Sequence, residues 1–274
     1  MAVIWTVLAA YAVVLALLWA FQERITFPAP RGAPPDPQKV LGYGESIELR
    51  MRDETRLVGW YLPPTAAEGG EGRRKAAAVL WFYGNAETIG LIWPILRDLV
   101  PPDAALLIVD YPGYGGSGGR ASEAGMYEAA ELAYQALAER PEVDSSRIFV
   151  YGRSLGSAPA LRLAAGHDVA GLILDSPFTS ARDMAAKHYR IVPPFLVRLR
   201  LDNLGAIARV RCPVLVFHGT EDVIVPLNMS RRLAAAAPAA VEFVMIEGAG
   251  HNETYEIGAS AYREKVWSFV RGAR

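Results

Sequence analysis

One serine of this chain lies at a sharp turn between a predicted strand and a predicted helix. Ser154 is the centre of a G-x-S-x-G motif at 152–156, directly after the apolar run 148–151 and before an alanine-rich helical pattern. A strand that reverses into a helix at one residue needs small residues two positions away on either side, because the flanking chains pass closely. The following helix directs backbone N–H groups toward the turn. This arrangement predicts that Ser154 is a nucleophile.

A second match to G-x-S-x-G lies at 115–119 and is centred on Ser117. Four residues separate it from the preceding predicted strand, and the next helical pattern starts only near Ser122. We interpret this stretch as a mobile glycine loop. Residues 113–118 also match the dinucleotide fingerprint G-x-G-x-x-G, but no helix is predicted to open at the last glycine, which disfavours a nicotinamide-binding alternative.

A serine needs a neighbouring base to become a good nucleophile, and the base needs a third group to orient it. Among the four histidines, His251 is the candidate base because it follows a predicted strand on the glycine-rich stretch 248–252. Loops held by rigid strands commonly carry catalytic groups. The other three histidines have structural interpretations. His167 is interpreted as a helix-end residue, His188 as a surface residue, and His218 as a strand-end residue bonded to backbone.

The acid is expected beyond a strand end between Ser154 and His251, where it can hold the imidazole in one tautomer. Asp222 fits this position best, because it follows the predicted strand 213–217. Asp175, at the end of the preceding strand, is the alternative, and Glu221 is a third candidate. Each of these acids could also be an ordinary loop or capping residue.

Two backbone N–H groups are candidates for an oxyanion hole. One belongs to Leu155, directly after the serine, and the other to Asn85, in the turn that follows the predicted strand 76–82. Gly84 lets the chain turn closely at this point. The same turn is also explained as a simple strand-to-helix connection with Thr88 as the helix N-cap. Both interpretations can hold together.

With these residues placed, the chain resembles the α/β-hydrolase superfamily, and more narrowly the membrane-anchored serine hydrolases often called abhydrolase-domain proteins. The resemblance extends over residues 40–272. It rests on separate stretches that occur in the same order, at 83–86, 110–115, 152–156, 176–180, 218–222 and 250–252. It implies a Ser154–His251–Asp222 triad that acts on carboxylic esters or thioesters.

The chain departs from the pattern of that family at three positions. Tyr83 stands where the family usually has histidine, Glu87 where glycine is common, and Ser157 where a second glycine often follows the serine turn. These departures leave the triad intact. They bear on the geometry of the oxyanion hole.

The order of predicted elements indicates an α/β-hydrolase fold. Strands alternate with helices from residue 76 onward, which calls for a mostly parallel sheet flanked by helices. The strands are predicted at 76–82, 104–110, 147–151, 169–174, 213–217 and 241–246, and the helices near 89–100, 122–139, 155–165, 226–237 and 256–271. An antiparallel pair is expected ahead of them, at 46–51 and 56–62, followed by a solvated loop at 63–75.

A single catalytic domain is therefore expected at 40–274, with a small cap at about 176–211. The cap has an apolar centre at 191–197 with several arginines around it. It could be a lid packed on the core with solvated arginines. It could instead be an acyl-chain wall beside an anionic lipid surface. The partners expected are thus a small-molecule or lipid-like acyl substrate and a lipid bilayer.

Residues 2–21 carry no charge, and at the helical rise they span about 30 Å, the thickness of a bilayer core. They are predicted to form a transmembrane anchor, followed by a proline-rich tether at 22–39. A cleaved signal peptide, and hence a secreted protein, is the alternative, but a basic leader and a small-residue cleavage site are not clear. The basic residues after the span, Arg24, Arg31 and Lys39, favour a cytoplasmic catalytic domain.

Composition narrows the remaining functions. The formal net charge is −1 and no basic tract is interleaved with aromatic residues, so nucleic-acid binding is not expected. The lone Cys212 has no cysteine companions for a disulfide or a zinc site, and neither a metal nor a cofactor is expected. Two other functions stay open: a serine peptidase on the same triad, and a non-catalytic membrane-anchored binding protein of the same fold. The sequence leaves the oligomeric state open.

Overall fold

A computed structural model of the protein describes residues 1–65 and 75–272. The described residues form an eight-stranded sheet in the order β1-β2-β4-β3-β5-β6-β7-β8. The strands are β1 Glu45–Arg50, β2 Arg56–Leu62, β3 Ala76–Phe82, β4 Ala104–Val109, β5 Val143–Arg153, β6 Gly171–Asp175, β7 Val214–Gly219 and β8 Val241–Ile246. Pairs β1–β2 and β2–β4 are antiparallel, and the other pairs are parallel. The predicted α/β-hydrolase fold is confirmed.

Helices flank the sheet and connect its strands. They are α1 Ala2–Ala20, α2 Gln22–Thr26, α3 Pro37–Leu41, α4 Ile89–Leu99, α5 Glu123–Ala138, α6 Ser157–Gly166, α7 Ala181–His188, α8 Asn203–Ile207, α9 Leu227–Ala236 and α10 Thr254–Gly272. The strand β4 is buried along its whole length, as expected for an interior strand covered on both faces. The edge strand β1 alternates between exposed and half-buried residues.

The strand-to-helix turn after β3 differs from the expected one. Thr88 occupies the N-cap position of α4, but its side chain makes no capping hydrogen bond. The buried carboxylate of Asp110 accepts from the Ile89 N–H instead, at 3.0 Å. Asp110, which directly follows β4, therefore caps α4 in place of the predicted local cap, Thr88.

The glycine loop at 115–119 is anchored, so the expectation of a mobile loop is wrong. The Ser117 side chain is buried; its hydroxyl donates to the Asp110 carbonyl oxygen at 2.7 Å and accepts from the Val58 N–H at 2.9 Å. The Gly116 N–H donates to the Asp110 carboxylate. The next helix, α5, begins only at Glu123, so the strand-to-helix frame of a dinucleotide site is lacking here.

The segment 22–39 packs on the domain and is not a free spacer. It contains α2 and the start of α3, and the side chain of Phe27 between them is buried in the core. The Pro30 carbonyl oxygen accepts from the Gly115 N–H at 2.8 Å. The composition of a proline-rich segment does not reveal long-range contacts of this kind. The solvated loop expected at 63–75 lies mostly outside the described residues.

The helix α1 is long and apolar enough to cross a membrane, and none of its residues is buried within the protein. A signal sequence near an N-terminus would have the same properties. The cap between β6 and β7 consists of α7, a 3₁₀ turn at Pro194–Leu196, and α8. Its apolar centre is divided, since Val197 is buried whereas Ile191 and Phe195 are 61% and 78% exposed.

Candidate active site

Ser154 adopts a strained backbone conformation, with φ of 47°, in the region that non-glycine residues rarely occupy. It directly follows β5 and is the first residue of a single 3₁₀ turn that leads into α6. A Cβ atom on Gly152 would lie 2.5 Å from the Gly156 carbonyl oxygen, and one on Gly156 would lie 2.2 Å from that of Phe82. Both glycines are therefore required by close approach of the backbone, as the motif predicted.

The structure brings the predicted serine, histidine and acid together. The distance from Ser154 Oγ to His251 Nε2 is 2.9 Å, and that from His251 Nδ1 to Asp222 Oδ2 is 2.7 Å. The three residues follow β5, β8 and β7, whose carboxyl ends meet at one edge of the parallel sheet. Since a carboxylate only accepts hydrogen bonds, Nδ1 carries a proton and Nε2 of a neutral imidazole can accept the serine proton.

Asp222 is held from both sides of its carboxylate. Oδ1 accepts the backbone N–H groups of Ile224 and Val225 at 2.9 and 2.7 Å, and Oδ2 faces His251 and His218. Burial by itself would raise the pKa of the Asp222 carboxyl. The hydrogen bonds from His218, His251 and Val225 outweigh burial and hold this pKa well below its usual range. The carboxylate therefore stays ionised beside the imidazole.

The alternative acids occupy other environments. Asp175 is buried among hydroxyl groups and accepts from Thr254 Oγ1 at 2.7 Å and from the Tyr262 hydroxyl at 3.0 Å. Its carboxylate thus joins β6 to α10. Glu221 is exposed to solvent. Of the three acids, Asp222 is the one whose carboxylate contacts the His251 ring.

Asn85 and Leu155, the predicted oxyanion pair, both line the cavity beside Ser154. The backbone N–H of Asn85 donates to no other residue within 1–65 and 75–272. Its side chain is fixed, because Nδ2 donates to the Thr26 carbonyl oxygen at 2.7 Å and Oδ1 accepts from the Tyr114 hydroxyl at 2.8 Å. The role of these two N–H groups stays a prediction.

Two of the three departures from the family pattern lie at the turn after β3. The Tyr83 ring is buried, and its hydroxyl accepts the Tyr111 N–H at 2.9 Å while donating to the Asp110 carboxylate. The Glu87 carboxylate accepts the Gly84 N–H at 2.6 Å and forms an ion pair with Arg153. Both side chains therefore stabilise the turn that carries Asn85.

Arg153 connects this turn to the base. Its guanidinium pairs with Glu87, and it also donates to the His251 carbonyl oxygen at 3.1 Å and to Asn252 Oδ1 at 2.8 Å. Burial by itself would lower the pKa of Arg153. The nearby carboxylates of Glu87 and Asp175 outweigh burial, so the pKa is raised above its usual value. A permanently charged guanidinium thus holds the loops of β3, β5 and β8 together.

A cavity of about 710 Å³ opens above Ser154. One wall comes from the cap and the other from α1 and α2. Most lining side chains are apolar, among them Leu15, Leu18, Phe178, Met184, Leu196 and Leu199. Within the described ranges, no group of three or more histidine, cysteine, aspartate or glutamate side chains is arranged to hold a metal ion.

Comparisons with known proteins identify the family. The family described as "Serine aminopeptidase, S33" matches residues 73–205. The uncharacterized protein Rv2307c of Mycobacterium tuberculosis is 39% identical over 243 residues, which cover 88% of this chain and 84% of that one. The chain belongs to the α/β-hydrolase superfamily.

Solved structures agree with this assignment at the level of fold. The esterase Pf2001 of Pyrococcus furiosus is similar with a TM-score of 0.73 and 19% identity, over 89% of this hydrolase and 98% of that chain. An acetyl xylan esterase from Paenibacillus sp. R4 is similar with a TM-score of 0.69 and 19% identity, over 86% of both chains. At such low sequence identities the likeness shows a shared fold and no more than that.

Sequence reasoning missed two side chains at the site of this α/β hydrolase. Arg153 is visible in the sequence only as an unspecified position of G-x-S-x-G, and its partner Glu87 only as a departure from glycine.

His218 has a further contact beyond the one that the sequence predicts. The predicted bond to backbone is correct for Nε2 and the Val225 carbonyl oxygen, at 2.9 Å. The same nitrogen also lies 3.3 Å from Asp222 Oδ2. The four-residue spacing of His218 and Asp222 across a strand end was the available signal.

Proposed function

We propose that this α/β hydrolase is a membrane-anchored serine esterase that cleaves carboxylic esters or thioesters of acyl, lipid-like substrates. The observation that carries the proposal is the chain of contacts from Ser154 Oγ through His251 to Asp222, at 2.9 and 2.7 Å. It lies at one end of an apolar cavity. Such a cavity suits an acyl chain, and the contacts suit an acyl transfer.

In the proposed reaction Ser154 Oγ attacks the acyl carbonyl carbon while its proton passes to His251 Nε2. The carbonyl oxygen becomes an oxyanion that accepts from the N–H groups of Asn85 and Leu155. When the tetrahedral intermediate collapses, the imidazolium returns its proton to the leaving oxygen or sulfur, and an acyl-enzyme is left. Water then attacks the acyl carbon with the same proton transfers, which releases the acid and restores Ser154. Asp222 keeps the imidazole oriented throughout.

The cavity favours an ester over a peptide. An aminopeptidase needs a carboxylate to hold the free amino group of its substrate, and a carboxypeptidase needs a cation that is not already paired. Among the cavity-lining residues that the structure describes, only Arg153 carries a permanent charge, and it is paired with Glu87. The peptidase activity named for the matching family is therefore the second candidate.

An uncleaved anchor at 2–21 is part of the proposal. The hydroxyl of Tyr11 donates to the Ile191 carbonyl oxygen of the cap, and the Gln22 side chain bonds to the cap as well. Removal of a signal peptide would take away one wall of the cavity. These contacts support an anchor at 2–21 that is followed by a segment, 22–39, packed against the catalytic domain. The basic residues that follow the helix favour a cytoplasmic domain.

A fluorophosphonate probe tests the proposal, because it reacts with an activated serine and needs no knowledge of the substrate. The full-length protein should be labelled once, at Ser154, and Ser154→Ala should abolish both labelling and hydrolysis of esters. Ser117→Ala is the matched control, since Ser117 occupies the other G-x-S-x-G motif and is bonded to backbone. Labelling that persists in Ser154→Ala would refute the assignment. A native protein that is never labelled would favour a binding protein of the same fold.

A further inference from the structure

The face of α1 and α2 that borders the cavity is a continuous stripe. The cavity-lining residues on these helices are Leu15, Leu18, Trp19, Gln22, Ile25 and Thr26. These residues recur at the spacing of one helix face. The stripe continues from α1 into α2, because the N–H of Phe21 between them still donates to the Leu17 carbonyl oxygen. A plain membrane anchor needs no face directed at the catalytic serine.

Hydrogen bonds hold this stripe against the cap. Gln22 Nε2 donates to the Leu196 carbonyl oxygen at 2.5 Å, and Gln22 Oε1 accepts from the Arg198 N–H at 2.8 Å. The Arg198 guanidinium lies 4.5 Å from the centre of the Trp19 ring, a favourable cation–π position. The two walls of the cavity, the helix stripe and the cap, are therefore joined by direct contacts.

The cap follows α1 away from the sheet. Tyr11 bonds to the cap at Ile191, and Tyr11 precedes Gln22 by eleven residues, or about 16 Å at the helical rise. This is about half the thickness of a bilayer core. The cap side chains Ile191 and Phe195 are mostly exposed there. Exposed apolar groups beside a membrane helix are in place to contact lipid.

The cavity is polar beside the serine and mostly apolar elsewhere. Its polar part contains Ser154, His251, Asn85 and Arg153, and the helix wall carries leucines at its far end. Leu15 lies about 16 Å along the helix from Thr26, whose carbonyl oxygen contacts the Asn85 side chain. This distribution matches an ester group joined to a long hydrocarbon chain.

We propose that the inner face of α1 is the acyl-binding wall of the active site, and that the substrate is a long-chain fatty acyl ester that enters from the lipid leaflet between α1 and the cap. The inference rests on the proposed esterase function and adds a substrate class to it. It assigns two specificity-determining residues, Leu18 nearer the serine and Leu15 farther from it. Neither residue takes part in the chemical steps.

The test enlarges single side chains on α1 in the full-length protein. Leu15→Trp and Leu18→Trp place an indole within the cavity, whereas Leu17→Trp places it on the exposed side of the same helix. Activity is measured on p-nitrophenyl butyrate, laurate and palmitate in mixed micelles. Because a filled pocket rejects extra methylenes, Leu18→Trp should lower the ratio of kcat/KM for laurate and for palmitate to that for butyrate by about tenfold. Leu15→Trp should lower the palmitate ratio and spare the laurate ratio.

Leu17→Trp should keep the native ratios. Fluorophosphonate labelling of Ser154 and retention in the membrane pellet show that each variant is folded and anchored. Equal ratios in all four proteins, or the same change in all three variants, would overturn the acyl-wall assignment. Failure of the esterase function itself has a different signature, because the native protein would then hydrolyse none of the three esters, or would do so equally well after Ser154→Ala.

Discussion

The side-chain amide of Asn85 donates a hydrogen bond of 2.7 Å to the backbone carbonyl oxygen of Thr26. It connects the turn that carries an expected oxyanion donor to the end of α2, a part of the chain that the sequence assigned to a tether. Phe27, the next residue, is buried in the core. We therefore infer that the catalytic domain begins at α2, directly after α1.

Two truncations that differ by seven residues test this boundary. Deletion of 2–20 removes α1 and keeps α2, so it should retain kcat on a short dispersed ester within about threefold, because the Asn85–Thr26 bond is preserved. Deletion of 2–27 also removes Thr26 and Phe27. Loss of a buried phenylalanine costs about 3 kcal/mol, so the longer deletion should unfold at lower urea concentration and lose kcat. Equal kcat and equal urea midpoints for the two fragments would contradict this boundary.

The ion pair between Arg153 and Glu87 is predicted to position the oxyanion turn. Glu87→Gln leaves an acceptor for the Gly84 N–H but removes the charge opposite Arg153, and kcat should fall about tenfold with a smaller change in KM, since the N–H alignment matters most in the transition state. Arg153→Met should have a similar effect.

A double-mutant cycle checks that the two side chains act through each other. The double variant Glu87→Gln with Arg153→Met should lose little more activity than either single variant, because both remove the same contact. Losses that multiply would assign the two residues independent roles.

The parts of the fold that sequence predicted well are those with local signatures. Continuous apolar runs marked β3 to β7, and the glycines at 152 and 156 marked the serine turn, because steric limits act within a few residues. The parts that were missed depend on contacts between distant segments. The capping of α4 by Asp110, the packing of Phe27 and the pairing of Arg153 with Glu87 join residues 21 or more positions apart. Neither periodicity nor propensity reports such proximity.

His218 is predicted to be a positioning residue that acts through Asp222. Its Nε2–H faces both the Val225 carbonyl oxygen and Asp222 Oδ2, and its Nδ1 lies 2.5 Å from the Ser230 hydroxyl. In His218→Phe the Asp222 carboxylate loses one N–H donor that fixes its orientation toward the His251 ring. The rate constant kcat should therefore fall, with a smaller change in KM.

His218→Gln is the matched control, because its amide can return an N–H donor near the position of Nε2. It should restore kcat more fully than His218→Phe, even where both variants are less stable in urea. An unchanged kcat in His218→Phe, together with lower stability alone, would make His218 a packing residue.

The carboxyl of Asp222 should also make the stability of the protein depend on acid. Its folded-state pKa is lowered, so its contribution to stability is present above the unfolded-state value, near 3.9, and is lost as pH falls through the folded-state pKa. Asp222→Asn should thus be less stable than the native protein between pH 5 and about pH 7. The difference in free energy of unfolding, measured in urea, should shrink at more acidic pH. A difference that is constant from neutral pH down to acid would contradict the lowered pKa.

Asp222 and Asp175 are finally separable by what each replacement changes. Asp222→Asn allows the wrong histidine tautomer, and kcat should fall on the order of 10⁴-fold. Asp175→Asn alters an acceptor shared by the hydroxyl groups of Thr254 and Tyr262, which join α10 to the sheet. It should lower the free energy of unfolding by about 1 to 3 kcal/mol while Ser154 still reacts with the fluorophosphonate probe. Stopped assays and urea titrations of both variants make the comparison. The reverse result would place the catalytic acid after β6, and Asp222 would then be a residue that caps the turn at Ile224 and Val225.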